Sequence, residues 1–360
     1  MPTAQKTAIK LRNISITNYK GIDEIKLEFP APRMPDATDI MVLGSRNGLG
    51  KTSILECCCL LLIAPTLRTD SFHIRDRHSM IDVPDLIVRS GHHGAEISGQ
   101  IVLGEETADV TIRIDRNGVV KINGNSLSDK FLQSKRFDPE AEIDELIKAI
   151  CGFTPNPVIE STFLLFHSYR KVQEGNPELG MMVNRARIHR NPPFRGRVEF
   201  PMSSFKLGLL RSLMSKADLF ERVEVEDVDS TLSTLNDLVR EYAGGTISKL
   251  RPAADNTVDF RIKPLDSDNS YTFDGLSSGQ KEIISTLYLI WYHTRKNPMV
   301  VLIDEPELHL NAQWHRSFIN CLVKLAPQNQ YIMATHSEDI MDSVDEERRL
   351  LLVSKQAGSE

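Results

Sequence analysis

Four short segments carry residues whose types and spacing point to phosphate chemistry. GSRNGLGKTS, residues 44–53, sets Gly48, Gly50, Lys51 and Thr52 between an apolar run and a helix-forming one. Glycines let backbone N–H groups turn onto phosphate oxygens. A lysine adds charge at the outer phosphates, and the threonine hydroxyl after it suits Mg²⁺. The pattern GxxxxGK[ST] holds at every position but the first, where Ser45 replaces glycine and Gly44 sits one residue early. VVLIDEPELHL, residues 300–310, ends an apolar strand on two carboxylates. At such a strand end Asp304 suits Mg²⁺ held through water, and Glu305 suits orienting or deprotonating an attacking water. YIMATHS, residues 331–337, ends another apolar run on His336, which reaches the same phosphate or water if the two strands lie side by side. LSSGQ, residues 276–280, precedes an apolar helix and presents a serine hydroxyl and a glycine amide at its N-terminus, an arrangement that binds anions.

Each segment has an ordinary alternative: a glycine turn before a helix, a strand with an acidic turn, a lone histidine, a serine cap from Ser277 or Ser278. Their fixed order along one chain favours a shared task.

The elements that must position these residues are legible in outline. IKLRNISITNYKG alternates apolar and polar residues, turns near Gly21 and resumes as IDEIKLEF, which predicts two strands. DIMVLG predicts a buried strand running into the glycine loop, and KTSILECCCLLLIA a helix stopped by Pro65. Residues 95–125 shift to short alternating runs with a hairpin turn at DRNG, an antiparallel sheet inserted after the first helix. Residues 138–150 read as helix and 158–166 as one apolar strand. Residues 175–201 are rich in Pro, Gly, Asn and Arg and read as a loop. Residues 203–242 read as two helices broken around 223–229, and 246–353 as an α/β unit.

The chain has 360 residues, 41% hydrophobic and 26% charged, enough to bury a substantial core. Its net charge of −6 argues against a uniformly basic, nucleic-acid-coating protein. Five cysteines, three of them consecutive at Cys57, Cys58 and Cys59, form neither a disulfide framework nor a zinc pattern. They suit buried packing thiols in a reducing cytoplasm. The N-terminus lacks a signal-peptide core, and the longest apolar stretch, 57–64, is too short to span a bilayer.

Together the four motifs resemble the ABC-type ATPase heads of the SMC, RecF and OLD class, with the opening ISITNYKGI similar to that class's own start. The resemblance implies an α/β P-loop ATPase head with an antiparallel β insertion after the P-loop helix and a short helical insertion. It implies an N-terminal lobe over 1–202, the helical insertion at 203–245 and a C-terminal lobe over 246–360. ATP would contact Asn47, Gly48, Gly50, Lys51, Thr52 and Ser53 of one copy and Ser277, Gly279 and Gln280 of another. Mg²⁺ would sit at Thr52 and Asp304, with Glu305 and His336 catalytic. ATP would thus be sandwiched in a homodimer or higher homo-oligomer, with residues 307–311 touching across the dimer. The class often places a Mg²⁺-binding glutamine after the strand that follows the insertion. Here that position offers His167, Ser168 and Tyr169, with Gln173 further on. An insertion of only about 40 residues limits each helical arm to roughly 30 Å, far from the long arms of SMC proteins.

DEPELHL with Asn311 is most similar to OLD-like and anti-phage ATPases such as those of the PARIS and Septu systems. This implies a cytoplasmic ATPase that regulates a separate effector, a nuclease or toxin, since no nuclease domain follows residue 352. The alternatives are a RecF-like DNA-repair ATPase and a slow-turnover, ATP-locked scaffold. Two basic clusters suit nucleic-acid phosphates or an acidic partner: Arg185, Arg187, His189, Arg190, Arg195 and Arg197, and then Arg68, His73, Arg75, Arg77 and His78.

Overall fold

A computed structural model of the chain describes residues 8–34, 37–44, 48–67, 69–74, 83–124, 146–147, 149–152, 157–168, 170, 206, 226–252 and 258–352. The chain forms two compact units, Met1–Arg170 with His293–Glu360, and Lys171–Tyr292. In chain order the first strands are β1 (Ile9–Tyr19), β2 (Ile22–Glu28), β3 (Asp39–Gly44), β4 (Ser71–His73), β5 (Gly94–Leu103), β6 (Glu106–Asp115), β7 (Val119–Gly124), β8 (Val158–Ile159) and β9 (Phe163–Phe166). There follow β10 (Gly245–Pro252), β11 (Val258–Pro264), β12 (Tyr271–Thr272), β13 (Val300–Asp304), β14 (Gln330–Thr335) and β15 (Arg349–Leu351). The helices whose bounds fall within the described residues are α1 (Lys51–Ile63), α2 (Val83–Ile87), α3 (Glu226–Ala243), α4 (Ser278–Thr294), α5 (Ala312–Leu325) and α6 (Glu338–Asp342).

The first unit holds two six-stranded sheets, one ordered β2-β1-β5-β6-β7-β4 and the other β15-β3-β14-β13-β9-β8. The alternating sequence of β1, β5 and β6 buries one face of the antiparallel sheet. The inserted strands do not form a sheet of their own: β5 extends the β1–β2 hairpin. In the second sheet β3, β13 and β14 are wholly buried and pair in parallel, which explains their unbroken apolar runs. The apolar stretch 158–166 is not one strand. It folds back on itself as β8 and β9, which pair antiparallel, with Glu160, Ser161 and Thr162 between them.

Every residue of α1 except Thr52 is buried. The helix packs against β1, β5 and β6 on one side and β9, β13 and β14 on the other. A helix apolar on all faces belongs between two layers. Cys57, Cys58 and Cys59 fill the space there, fully buried and free, with burial raising each thiol so that it stays a packing group. The charge in the middle of the helix, Glu56, is satisfied by the opening turn. Lys20 pairs with it at 2.6 Å and the Tyr19 hydroxyl donates to it at 3.1 Å. That turn needs left-handed backbone at Asn18 and Lys20.

One side-chain amide links the sheets, alongside the Arg12–Asp39 ion pair at 2.8 Å. Gln330 Oε1 accepts from the Leu11 N–H at 2.7 Å and its Nε2 donates to the Leu11 carbonyl at 2.9 Å, beside the irregularity between Leu11 and Asn13.

In the second unit β10, β11 and β12 form an antiparallel sheet, and α3 packs on β10. Asn236 bonds both backbone groups of Ile247, at 2.7 and 3.2 Å. Of the two helices expected over 203–242, α3 is described. Most of the first falls outside the described residues, as does most of the helix expected over 138–150. Among the described residues no helix is long and apolar enough to cross a membrane.

Gly99 lies where β5 meets β1 and α1. A Cβ there would stand 2.4 Å from the Asn13 carbonyl oxygen and 2.7 Å from Leu61 Cδ1. Gly99→Ala should therefore cost about 1–3 kcal/mol. A urea midpoint unchanged from wild type would show that the layers have slack.

Candidate functional site

β3 delivers the chain to the glycine loop. Residues 45–47, including Asn47, lie outside the described residues. Gly48 and Gly50 take φ of 85° and 82°, left-handed backbone that glycine adopts at no steric cost. Gly50 immediately precedes α1, and a Cβ on it would stand 2.8 Å from Ile22 Cγ1. The N-terminus of α1 places Lys51, Thr52 and Ser53 in its first turn, where free N–H groups and the helix dipole favour an anion.

β14 lies between β3 and β13, with Ala334 opposite both Leu43 and Asp304. The carboxyl ends of these three strands therefore bring the P-loop helix, the acidic pair and His336 together. Lys51 Nζ is 2.8 Å from His336 Nε2, so that nitrogen must present its lone pair to accept the bond. Burial lowers the Lys51 ammonium's pKa, while Asp304, Glu305 and Glu307 oppose that shift. The Thr52 hydroxyl donates to Asp304 Oδ2 at 2.8 Å. Glu305 Oε1 is 3.7 Å from His336 Nε2, each side chain about one-third exposed at 32%.

Asp304 is 1% exposed, and its Oδ1 has no hydrogen-bond partner among the described residues. Burial raises the carboxyl's pKa. The Thr52 hydroxyl, the Arg170 charge, the Ser168 hydroxyl and the Lys51 charge pull it back. A hydroxyl and a carboxylate with one unused oxygen fit Mg²⁺, which takes few protein oxygens and completes its shell with water and phosphate. Among the described residues no group of three His, Cys, Asp or Glu could cage a metal.

Of the residues offered after β9 the structure picks out one, and two further features were not foreseen in the sequence. Ser168 is the residue after β9 that reaches Asp304, while His167 faces the Ala149 carbonyl at 2.9 Å; Tyr169 and Gln173 fall outside the described residues. Arg170, buried, donates to the carbonyls of Asp304 and Glu305. Glu307 accepts from the Thr335 hydroxyl at 2.8 Å and the His336 N–H at 2.7 Å, so its carboxylate is engaged within its own chain. A carboxylate two residues after the acidic pair and a basic residue just past a neighbouring strand were the available signals. Neither spacing specifies a partner.

In the second unit Ser277 caps α4 in a reciprocal arrangement. Its hydroxyl oxygen accepts from the Gln280 N–H at 3.3 Å, while Gln280 Oε1 accepts from the Ser277 N–H at 3.0 Å. Gln280 Nε2 donates to the Tyr242 carbonyl at 3.0 Å, and Gly279 lies in the first turn of α4. Of the basic clusters, only His73 is described, its ring beside the Ile74 carbonyl.

The raised Asp304 carboxyl has a sign. Protonation favours the folded state, so its contribution is complete below the ordinary Asp value near ~4 and is lost as pH rises through the raised value. Asp304→Asn imitates the protonated form. Its stability relative to wild type, without nucleotide, should grow as pH climbs through the range above the ordinary Asp value. A difference flat across that range would contradict the burial argument.

Residues 184–342 match the family model described as "AAA domain, putative AbiEii toxin, Type IV TA system". The Retron Vc95 probable ATPase of Vibrio cholerae serotype O1 biovar El Tor is 31% identical, over 94% of this chain and 73% of its own. The Retron Ec83 probable ATPase of Escherichia coli is 21% identical, over 97% of this chain and 72% of its own. A solved SMC head, bound to the C-terminal winged-helix domain of ScpA, superposes with a TM-score of 0.52 at 14% identity, covering 93% of this chain and 92% of that one. With its mixed α/β, SMC-head-like fold and its 31% identity to the Vibrio protein, the chain belongs to the family of the retron probable ATPases.

Proposed function

We propose that this chain is the ATP-hydrolysing regulatory subunit of a bacterial anti-phage defence complex, active as a homodimer or higher homo-oligomer with ATP sandwiched between copies. The observation that carries the nucleotide chemistry is the convergence of Lys51, Thr52, Asp304, Glu305 and His336 at adjacent strand ends. Lys51 and the N-terminus of α1 hold the outer phosphates. Thr52 and Asp304 would hold Mg²⁺, which would neutralise phosphate charge when bound. Glu305 orients a water and takes its proton. The water oxygen bonds to the γ-phosphorus as the bond to the bridging oxygen breaks, leaving ADP and phosphate. His336, steadied by Glu307, contacts the γ-phosphate or that water. Ser277 and Gly279 of another copy, at the start of their helix, complete the anion site.

The defence role is supported by the similarity to two retron probable ATPases and by the match to the "AAA domain, putative AbiEii toxin" family. On this proposal the effector is a separate protein, and ATP-driven closing and opening of the oligomer controls it.

Glu305→Gln should retain ATP, accumulate closed oligomers and lose about 10²–10⁴-fold in turnover. Wild-type phosphate release from that variant would sink the catalytic assignment. Mixing Lys51→Ala copies with Ser277→Arg copies should restore part of the activity, because one of the two composite sites would be intact. No recovery in oligomers shown to be mixed would count against the sandwich.

A further inference from the structure

The last residues of β13 extend beyond the strand beside them. The β9–β13 register closes with Phe166 opposite Ile303, so β9 offers no partner to Asp304 or Glu305. Buried carbonyls at such a point need another donor. Arg170, 6% exposed, supplies it. Its Nη1 donates to the Asp304 carbonyl at 2.6 Å and its Nη2 to the Glu305 carbonyl at 3.1 Å. Nη1 also donates to the His167 carbonyl at 3.0 Å, which ties the guanidinium to the turn after β9. From the opposite side the Ala334 carbonyl accepts the Glu305 N–H at 2.8 Å. The backbone around Glu305 is thus held on both flanks, and it is held at φ 48°, left-handed backbone that a glutamate rarely adopts. Such a conformation persists only where its surroundings over-determine it.

We infer that Arg170 is the positioning residue for Glu305: its planar fork replaces the missing strand partner and aims the Glu305 carboxylate toward His336. The inference rests on the water-activating role proposed for Glu305. Lysine keeps the charge but concentrates it in one compact ammonium, without the planar fork that spans two adjacent carbonyls.

The test is steady-state ATP hydrolysis by the full chain carrying Arg170→Lys, with Arg170→Gln as a second variant and thermal melting alongside. A slight misplacement of a reacting group lowers kcat by about 10–100-fold. The expected result is a loss of that size with KM for ATP within about 3-fold of wild type, in folded protein. A kcat within about 2-fold of wild type would overturn the inference. So would a loss confined to KM, or a failure of both variants to fold, since Arg170 would then be a plug for the sheet alone. Glu305→Gln separates the two levels. If that variant is inactive while Arg170→Lys is not, only the positioning role falls. If it turns over normally, the base assignment itself fails.

Discussion

The structure of the first unit depends on one constraint: α1 has almost no face that tolerates water. With Thr52 its one exposed residue, the helix must be covered on both sides, and the two sheets exist at the spacing that covers it. The same arrangement creates the proposed phosphate site. A helix locked between layers cannot tilt, so its N-terminus stays at the carboxyl end of β3. Lys51 and Thr52 then face the ends of β13 and β14, where Asp304 and His336 emerge. Core packing and the chemical site have one origin here.

Side chains repeatedly stand in for missing backbone. Gln330 gives Leu11 the donor and acceptor that a neighbouring strand would provide, and Asn236 does the same for Ile247. Glu307 receives the hydroxyl and amide of the Thr335–His336 bend. Each use occurs where regular pairing stops, because a buried polar group left there would be costly. His336 thus owes part of its placement to a carboxylate that holds the backbone beside it.

What the sequence revealed follows from how local each signal is. The glycine loop, the DE pair and the strand ending at His336 are contiguous segments whose residue types reflect their own conformation, so they could be read directly. The sheet that recruits β1 and β2 alongside β5 could not, since partner choice is a long-range property. The break at Glu160–Thr162 is marked by three consecutive polar residues, a signal easily lost between the apolar runs on either side. Arg170 was invisible for a related reason. Its partners are carbonyl oxygens, which every residue has, so no pattern of side chains announces the contact. The pairing of Ser277 with Gln280 was in principle legible as a cap spaced three apart, although only the serine half was read from the sequence.

The left-handed backbone at Glu305 sets stability and activity against each other at one position. Glycine would relieve the torsion there but carries no carboxylate, and asparagine would relieve part of it but cannot take a proton as a base. Selection for a sturdier fold alone would drift toward either residue. On the proposed mechanism, a glutamate kept in this conformation across diverging copies would mark lineages still selected for turnover. Its replacement would mark those that have kept the fold and stopped consuming nucleotide.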